Sequence, residues 1–145
     1  MTPRQASQTG FTLVELVLVM IVMALATLMG IRQFQLLMDR LATRDAVRAA
    51  SSIIARARDE SLALHTAVSV CIDTVASSLE LRSRDGPIAT VPLRSTYGVT
   101  LSTTRDSITF DMRGLGYGAA NLTLVARRGR SADTLVVSRL GRTRL

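Results

Sequence analysis

The chain has 145 residues, 48% of them apolar and 3% aromatic, and a formal charge of +7. That length suits one domain plus an anchor; one cysteine rules out an internal disulfide, and one histidine with no metal-ligand spacing leaves nothing from which to build a catalytic or metal site, so no enzyme and no cofactor is expected. All eighteen basic residues are arginine: from Phe11 to Asp111 ten arginines meet ten acids, whereas from Met112 to Leu145 seven meet one. A strongly basic C-terminal end on a neutral remainder suggests a polyanionic partner, the alternative being a solvated basic face.

The first ten residues are mostly polar with one charge, Arg4, and end in Gly10. Then comes Phe11-Thr12-Leu13-Val14-Glu15, opening an apolar span to Ile31 that only Glu15 interrupts. Phe11 to Ile31 is about the length needed to cross a bilayer, and a carboxylate there is costly without a cation. A short leader ending in Gly, followed by Phe-Thr-Leu-Val-Glu and an apolar stretch, resembles the class III signal of type IV pilins and type II secretion pseudopilins. The resemblance implies cleavage after Gly10 by a prepilin peptidase and methylation of the new amino terminus at Phe11. It also implies an assembly role for Glu15, pairing with a neighbouring subunit's amine. A secretory signal cut after Ala24-Leu25-Ala26, or a plain anchor, accounts for the apolar length but not for the motif.

Beyond Arg32 the helix is expected to continue to about Ala63. Phe34, Met38, Leu41, Ala46, Ala49, Ile53, Ala57 and Leu64 recur mostly at spacings of three or four, with charged residues between them. The small residues from Ala46 to Ala57 would let a sheet approach closely. His65, at the end of this helix, reads as a cap or surface residue.

After His65 the period changes to two. Short strands are predicted at 66–72, 78–82, 88–93, 99–102, 107–110, 122–126 and 134–139, separated by turn signals such as Asp85-Gly86-Pro87, Tyr97-Gly98 and Arg128-Gly129. Cys71 falls in the first of them, at an expected buried position. The fold class is therefore α+β: a long N-terminal helix packed on an antiparallel β-sheet or small sandwich. Its divisions are 1–10 leader, 11–31 transmembrane or filament-core helix, 32–64 amphipathic continuation and 65–145 β-rich globular domain.

Ile108-Thr109-Phe110-Asp111-Met112-Arg113-Gly114, the strand from Leu122 to Ala126, and Leu135-Val136-Val137-Ser138 followed by Gly141-Arg142 resemble the GspH/FimT group of minor pilins and pseudopilins. The glycines from Gly114 to Gly118 read as a hairpin loop, since no Gly-Lys-Ser/Thr follows. The resemblance implies a pilin-like fold and a single-pass protein of the bacterial inner membrane. Its globular domain would be periplasmic, and it would join other pilins or pseudopilins in a surface filament.

The chain closes on Arg139-Leu140-Gly141-Arg142-Thr143-Arg144-Leu145. In the DNA-uptake branch of the family a Gly-Arg-x-Arg element near the C-terminus is associated with DNA binding, and Gly141-Arg142-Thr143-Arg144 matches it. In an extended tail Arg142 and Arg144 would project the same way, about 6.5–7 Å apart, close to the spacing of successive phosphates. Arg127, Arg128 and Arg130 form a second cluster that could extend the patch. The scarcity of aromatics favours sequence-independent contact with the backbone of double-stranded DNA. Arginines that keep an exposed edge strand soluble are the competing reading. The functions that follow are a FimT-like minor pilin binding extracellular DNA for natural transformation or, alternatively, a GspH-like minor pseudopilin of type II secretion.

Overall fold

The computed structural model describes residues 10–117, 121–138 and 141–144. Helix α1, Leu13–Leu64, is followed by eight strands and one short helix: β1 Val68–Asp73, β2 Ser78–Ser83, β3 Gly86–Pro92, α2 Leu93–Tyr97, β4 Thr100–Thr103, β5 Ser107–Phe110, β6 Leu122–Arg128, β7 Ser131–Val137 and β8 Thr143–Arg144. The chain divides into two compact units, one ending at Gln35 and the other running from Leu36 to Leu145.

In the first unit the helix begins at a threonine. Thr12 accepts the Glu15 N–H on its Oγ1 at 3.3 Å and the Leu16 N–H on its carbonyl at 3.2 Å. A side-chain oxygen at this position satisfies an amide that the first turn otherwise leaves unpaired. Thr12-Leu13-Val14-Glu15 also has the spacing of a capping box. From Phe11 to Ile31 every large apolar side chain is exposed, and α1 is long and apolar enough to cross a membrane. Gly30 lies within this helix without breaking it.

The second unit holds the core. Two four-stranded antiparallel sheets, in the orders β3-β2-β1-β5 and β4-β6-β7-β8, share one buried cluster with α1. Alternation decides which strand residues enter it: Val68, Val70 and Ile72 of β1, Leu79 and Leu81 of β2, Leu122, Leu124 and Ala126 of β6, Leu135 and Val137 of β7. The same alternation puts Cys71 on the outer, partly exposed side of β1, opposite Glu80 and Ser107, and not in the core as the sequence suggested.

On α1 the buried stripe is Thr43, Ala46, Val47, Ala50, Ile53, Ile54, Ala57 and Ser61. Ala46, Ile53 and Ala57 are where the periodicity placed them, but Phe34, Leu41 and Leu64 are exposed. The stripe that meets the sheets combines Ala46, Ala50 and Ala57, whose small side chains let the backbones approach, with Val47, Ile53 and Ile54, which fill the core. The helix ends at His65, whose φ of +49° is the left-handed conformation that commonly closes a helix.

Ser77 joins the two sheets. Fully buried in the turn after β1, it accepts the Leu101 N–H of β4 on Oγ at 3.2 Å and the Arg94 N–H of α2 on its carbonyl at 3.2 Å. α2 and β8 were not expected from the sequence. Gly98, at φ +66°, caps α2 and turns the chain into β4.

Candidate functional site

Arg144 is held on a strand, and Arg142, just before it, is bonded to Ser138. β8 pairs antiparallel with β7, Val136 opposite Arg144 and Val137 opposite Thr143. The reversal before it is closed by the Ser138 N–H donating to the Arg142 carbonyl at 2.9 Å and the Gly141 N–H donating to the Ser138 carbonyl at 2.9 Å. The Arg142 N–H adds a bond to Ser138 Oγ at 3.2 Å. Gly141 adopts φ +71°, the left-handed conformation that a three-residue hairpin loop commonly requires at its last position. A Cβ there would also stand 3.1 Å from Cε1 of the Phe110 ring, so the backbone lies directly on the core.

Cross-strand partners point to the same side of a sheet, so the register builds the site. Thr123, Val136 and Arg144 form one row across β6, β7 and β8, while Asn121, Ser138 and Arg142 lie at the neighbouring end. These six residues line an open-sided depression of about 510 Å³ on the outer face of the second sheet. Two guanidinium groups with hydroxyl and amide donors beside them form a chemically suitable surface for phosphate oxygens. Both arginines are exposed, and among the described residues neither is in an ion pair.

The second arginine cluster lies elsewhere. Arg127, Arg128 and Arg130 sit at the β6–β7 turn, and β8 pairs at the other end of β7, about 20 Å away at 3.3 Å per residue. The helix gives the same answer: Asp39 meets the β6–β7 turn and Arg58 meets Gly141, nineteen residues or about 28 Å along α1 at 1.5 Å per residue. Arg127 shares the outer face with Arg142 and Arg144 but stands about 13 Å further along β6 than Thr123.

Arg128 has a structural engagement. Its Nε is 3.1 Å from Asp39 Oδ1, and its guanidinium donates to the Tyr97 carbonyl at 2.7 Å. It therefore ties α1, α2 and the β6–β7 turn together. Gly129 keeps the turn close, since a Cβ at its φ of +54° would run into the Asp39 carboxylate. Arg130 is exposed at the turn, and Arg139 lies outside the described residues.

At the other candidate site, Gly10 and Phe11 are exposed and precede the first helical residue, and Glu15 lies exposed in the first turn. The role of Thr12 as the cap went unread in the sequence, although Thr-x-x-Glu ahead of an apolar run is the signal for it.

Residues 46–141, about two-thirds of the chain, match the family described as type II transport protein GspH. The chain belongs to the GspH family. Its fold is similar to that of the type IV minor pilin FimU of Pseudomonas aeruginosa strain PAO1, solved in two crystal forms. One form gives a TM-score of 0.61 at 18% identity, covering 73% of this chain and 89% of that one. The other gives 0.56 at 17% identity, covering 70% and 90%. No curated protein sequence matches the chain significantly. The GspH match takes in the core stripe of α1 and the strands of both sheets up to Gly141, and it stops just before Arg142 and Arg144.

Proposed function

We propose that this GspH-family protein is a minor type IV pilin that binds double-stranded DNA without sequence preference, through Arg142 and Arg144, in DNA uptake for natural transformation. The observation that carries the reading is the β8 hairpin. It sets two exposed arginines, Arg144 on the edge strand and Arg142 just before it, into the lining of one depression with Asn121, Thr123 and Ser138. Their spacing along the strand, about 6.5–7 Å, suits consecutive phosphates of one DNA strand. Arg127 and Arg130 lie far enough along the sheet to meet the duplex at a separate point, whereas Arg128 stays with Asp39.

The remainder of the proposal concerns the first unit. Prepilin peptidase cleaves between Gly10 and Phe11, Phe11 is methylated, residues 11–31 anchor the chain in the inner membrane, and Glu15 pairs with a neighbouring subunit's terminus during assembly. Exposure of Gly10 and Phe11 ahead of the helix leaves the scissile bond accessible. The globular part, 65–145, lies in the periplasm before assembly and on a surface filament after it.

The test is a titration of the detergent-solubilised full chain against DNA duplexes of unrelated sequence at several salt concentrations. Affinity should be alike for all sequences and fall steeply with salt. Arg142→Gln with Arg144→Gln should reduce the log–log salt slope by about 2. The family match favours a second reading, a type II secretion pseudopilin with the same anchor and assembly chemistry. Absence of DNA binding at low salt would favour it.

A further inference from the structure

The arginine that sequence reasoning had no cause to single out is Arg58 of α1. Two turn glycines close on its side chain. A Cβ on Gly114 would stand 3.2 Å from Arg58 Cγ and 3.3 Å from Arg58 Nε, and one on Gly141 would stand 3.4 Å from Arg58 Cδ. Both glycines are in the left-handed region, φ +70° and +71°. The two turns belong to segments far apart in sequence, and each carries an arginine beside its glycine: Arg113-Gly114 and Gly141-Arg142.

Gly114 is held over the helix by Asp111, whose Oδ1 accepts the Arg113 and Leu115 N–H groups at 2.9 Å each, while its carbonyl accepts the Gly114 N–H at 2.9 Å. Gly141 is held by the Ser138 reversal. The stem of Arg58 is thus fixed between two turns while the residue as a whole remains exposed. It has no acid three or four positions away on the helix, where Ile54, Ala55, Ser61 and Leu62 stand, and it enters no ion pair among the described residues. Its Cδ lies beside the residue adjacent to Arg142, which places a third cation at the turn end of the β8 hairpin.

From this we infer that Arg58 is a phosphate-contacting residue of the same interface, extending the path of the DNA backbone from Arg144 and Arg142 over the Gly141 turn to the helix, with Arg113 flanking it. A stem fixed by packing holds the guanidinium in place before contact, so less side-chain freedom is lost on binding than for a free surface arginine. This inference rests on the DNA-binding reading above.

Two variants separate charge from packing. Arg58→Met keeps an unbranched stem between the glycines and removes the cation; Arg58→Lys keeps both stem and charge. With the full chain in detergent and duplex DNA, Arg58→Met should reduce the log–log salt slope by about 1, and Arg58→Lys should leave it near the wild-type value. A melting curve for each variant establishes that the fold persists. If Arg142→Gln with Arg144→Gln lowers the slope but Arg58→Met leaves it unchanged, Arg58 is only a packing residue and the inference fails while DNA binding stands. If the wild-type chain does not bind DNA at low salt, both fail together.

Discussion

Among single residues, Gly141 shows how much of the candidate site is backbone. Any other residue must adopt φ +71° there, and its Cβ meets Phe110 at 3.1 Å. Gly141→Ala should therefore lower the unfolding free energy by about 1–2 kcal/mol, the usual cost of a left-handed L-residue. It should also weaken DNA binding although no charge changes, which denaturant melts and a binding titration on the same sample would show. Arg128 should behave in the opposite way. Arg128→Met loses the Asp39 ion pair and the bond to Tyr97, both partly exposed, so a stability loss of about 1 kcal/mol is expected with no change in the salt slope of binding. In the sequence Arg127, Arg128 and Arg130 read as one cluster that could extend the C-terminal patch, because a run of basic residues carries no information about which of them meets a carboxylate, here Asp39, 89 residues earlier in the chain.

At the level of elements, the helix makes a sharp prediction. Ala50 is fully buried in the stripe that faces the sheets, whereas Leu41 is 44% exposed. Ala50→Leu should cost about 1–3 kcal/mol through overpacking, while Leu41→Ala should stay within about 0.5 kcal/mol. Equal effects in chemical denaturation would contradict the assignment of faces. Periodicity revealed the helix to within a residue of its end at Leu64 and the close approach around Ala46 to Ala57, but it also took in Phe34, Leu41 and Leu64, which are exposed, because apolar spacing alone does not say where along a helix the sheets begin and end. Ser107–Phe110 matches its predicted strand, and the other six predicted strands differ from the observed ones by one to three residues at their ends. α2 fell mostly in the connection between two predicted strands, because five residues complete barely more than one turn and show no helical period. β8 was missed because two residues carry no period; only the register with Val136 and Val137 reveals it. The depression under the arginines was equally illegible, being assembled from residues of three strands.

For the molecule as a whole, the fold class was readable from the sequence because it rests on long-range pattern, one extended apolar helix and then short strands, whereas the family was legible through local resemblance, the Gly10-Phe11-Thr12-Leu13-Val14-Glu15 start and the segments around Phe110 and Val137. One sheet or a small sandwich was left open by the sequence; the strand orders decide for two sheets, which Ser77 links by bonding β4 and α2 to the turn after β1. Processing is a whole-chain property with a direct readout. The mass of the membrane-extracted protein should correspond to a chain beginning at Phe11 with one added methyl group; a chain beginning at Thr27 would rule the processing proposal out. The hairpin at the other end has a further physical consequence. A terminal peptide ordinarily frays, and a frayed ligand-binding tail must surrender its backbone entropy each time it engages. Here Gly141 rests on Phe110 and Arg144 is registered against Val136, so that entropy is given up once, during folding. Under the DNA-binding proposal, the pre-formed surface would therefore be tuned chiefly by ionic strength, since its contacts with phosphate are between exposed charges.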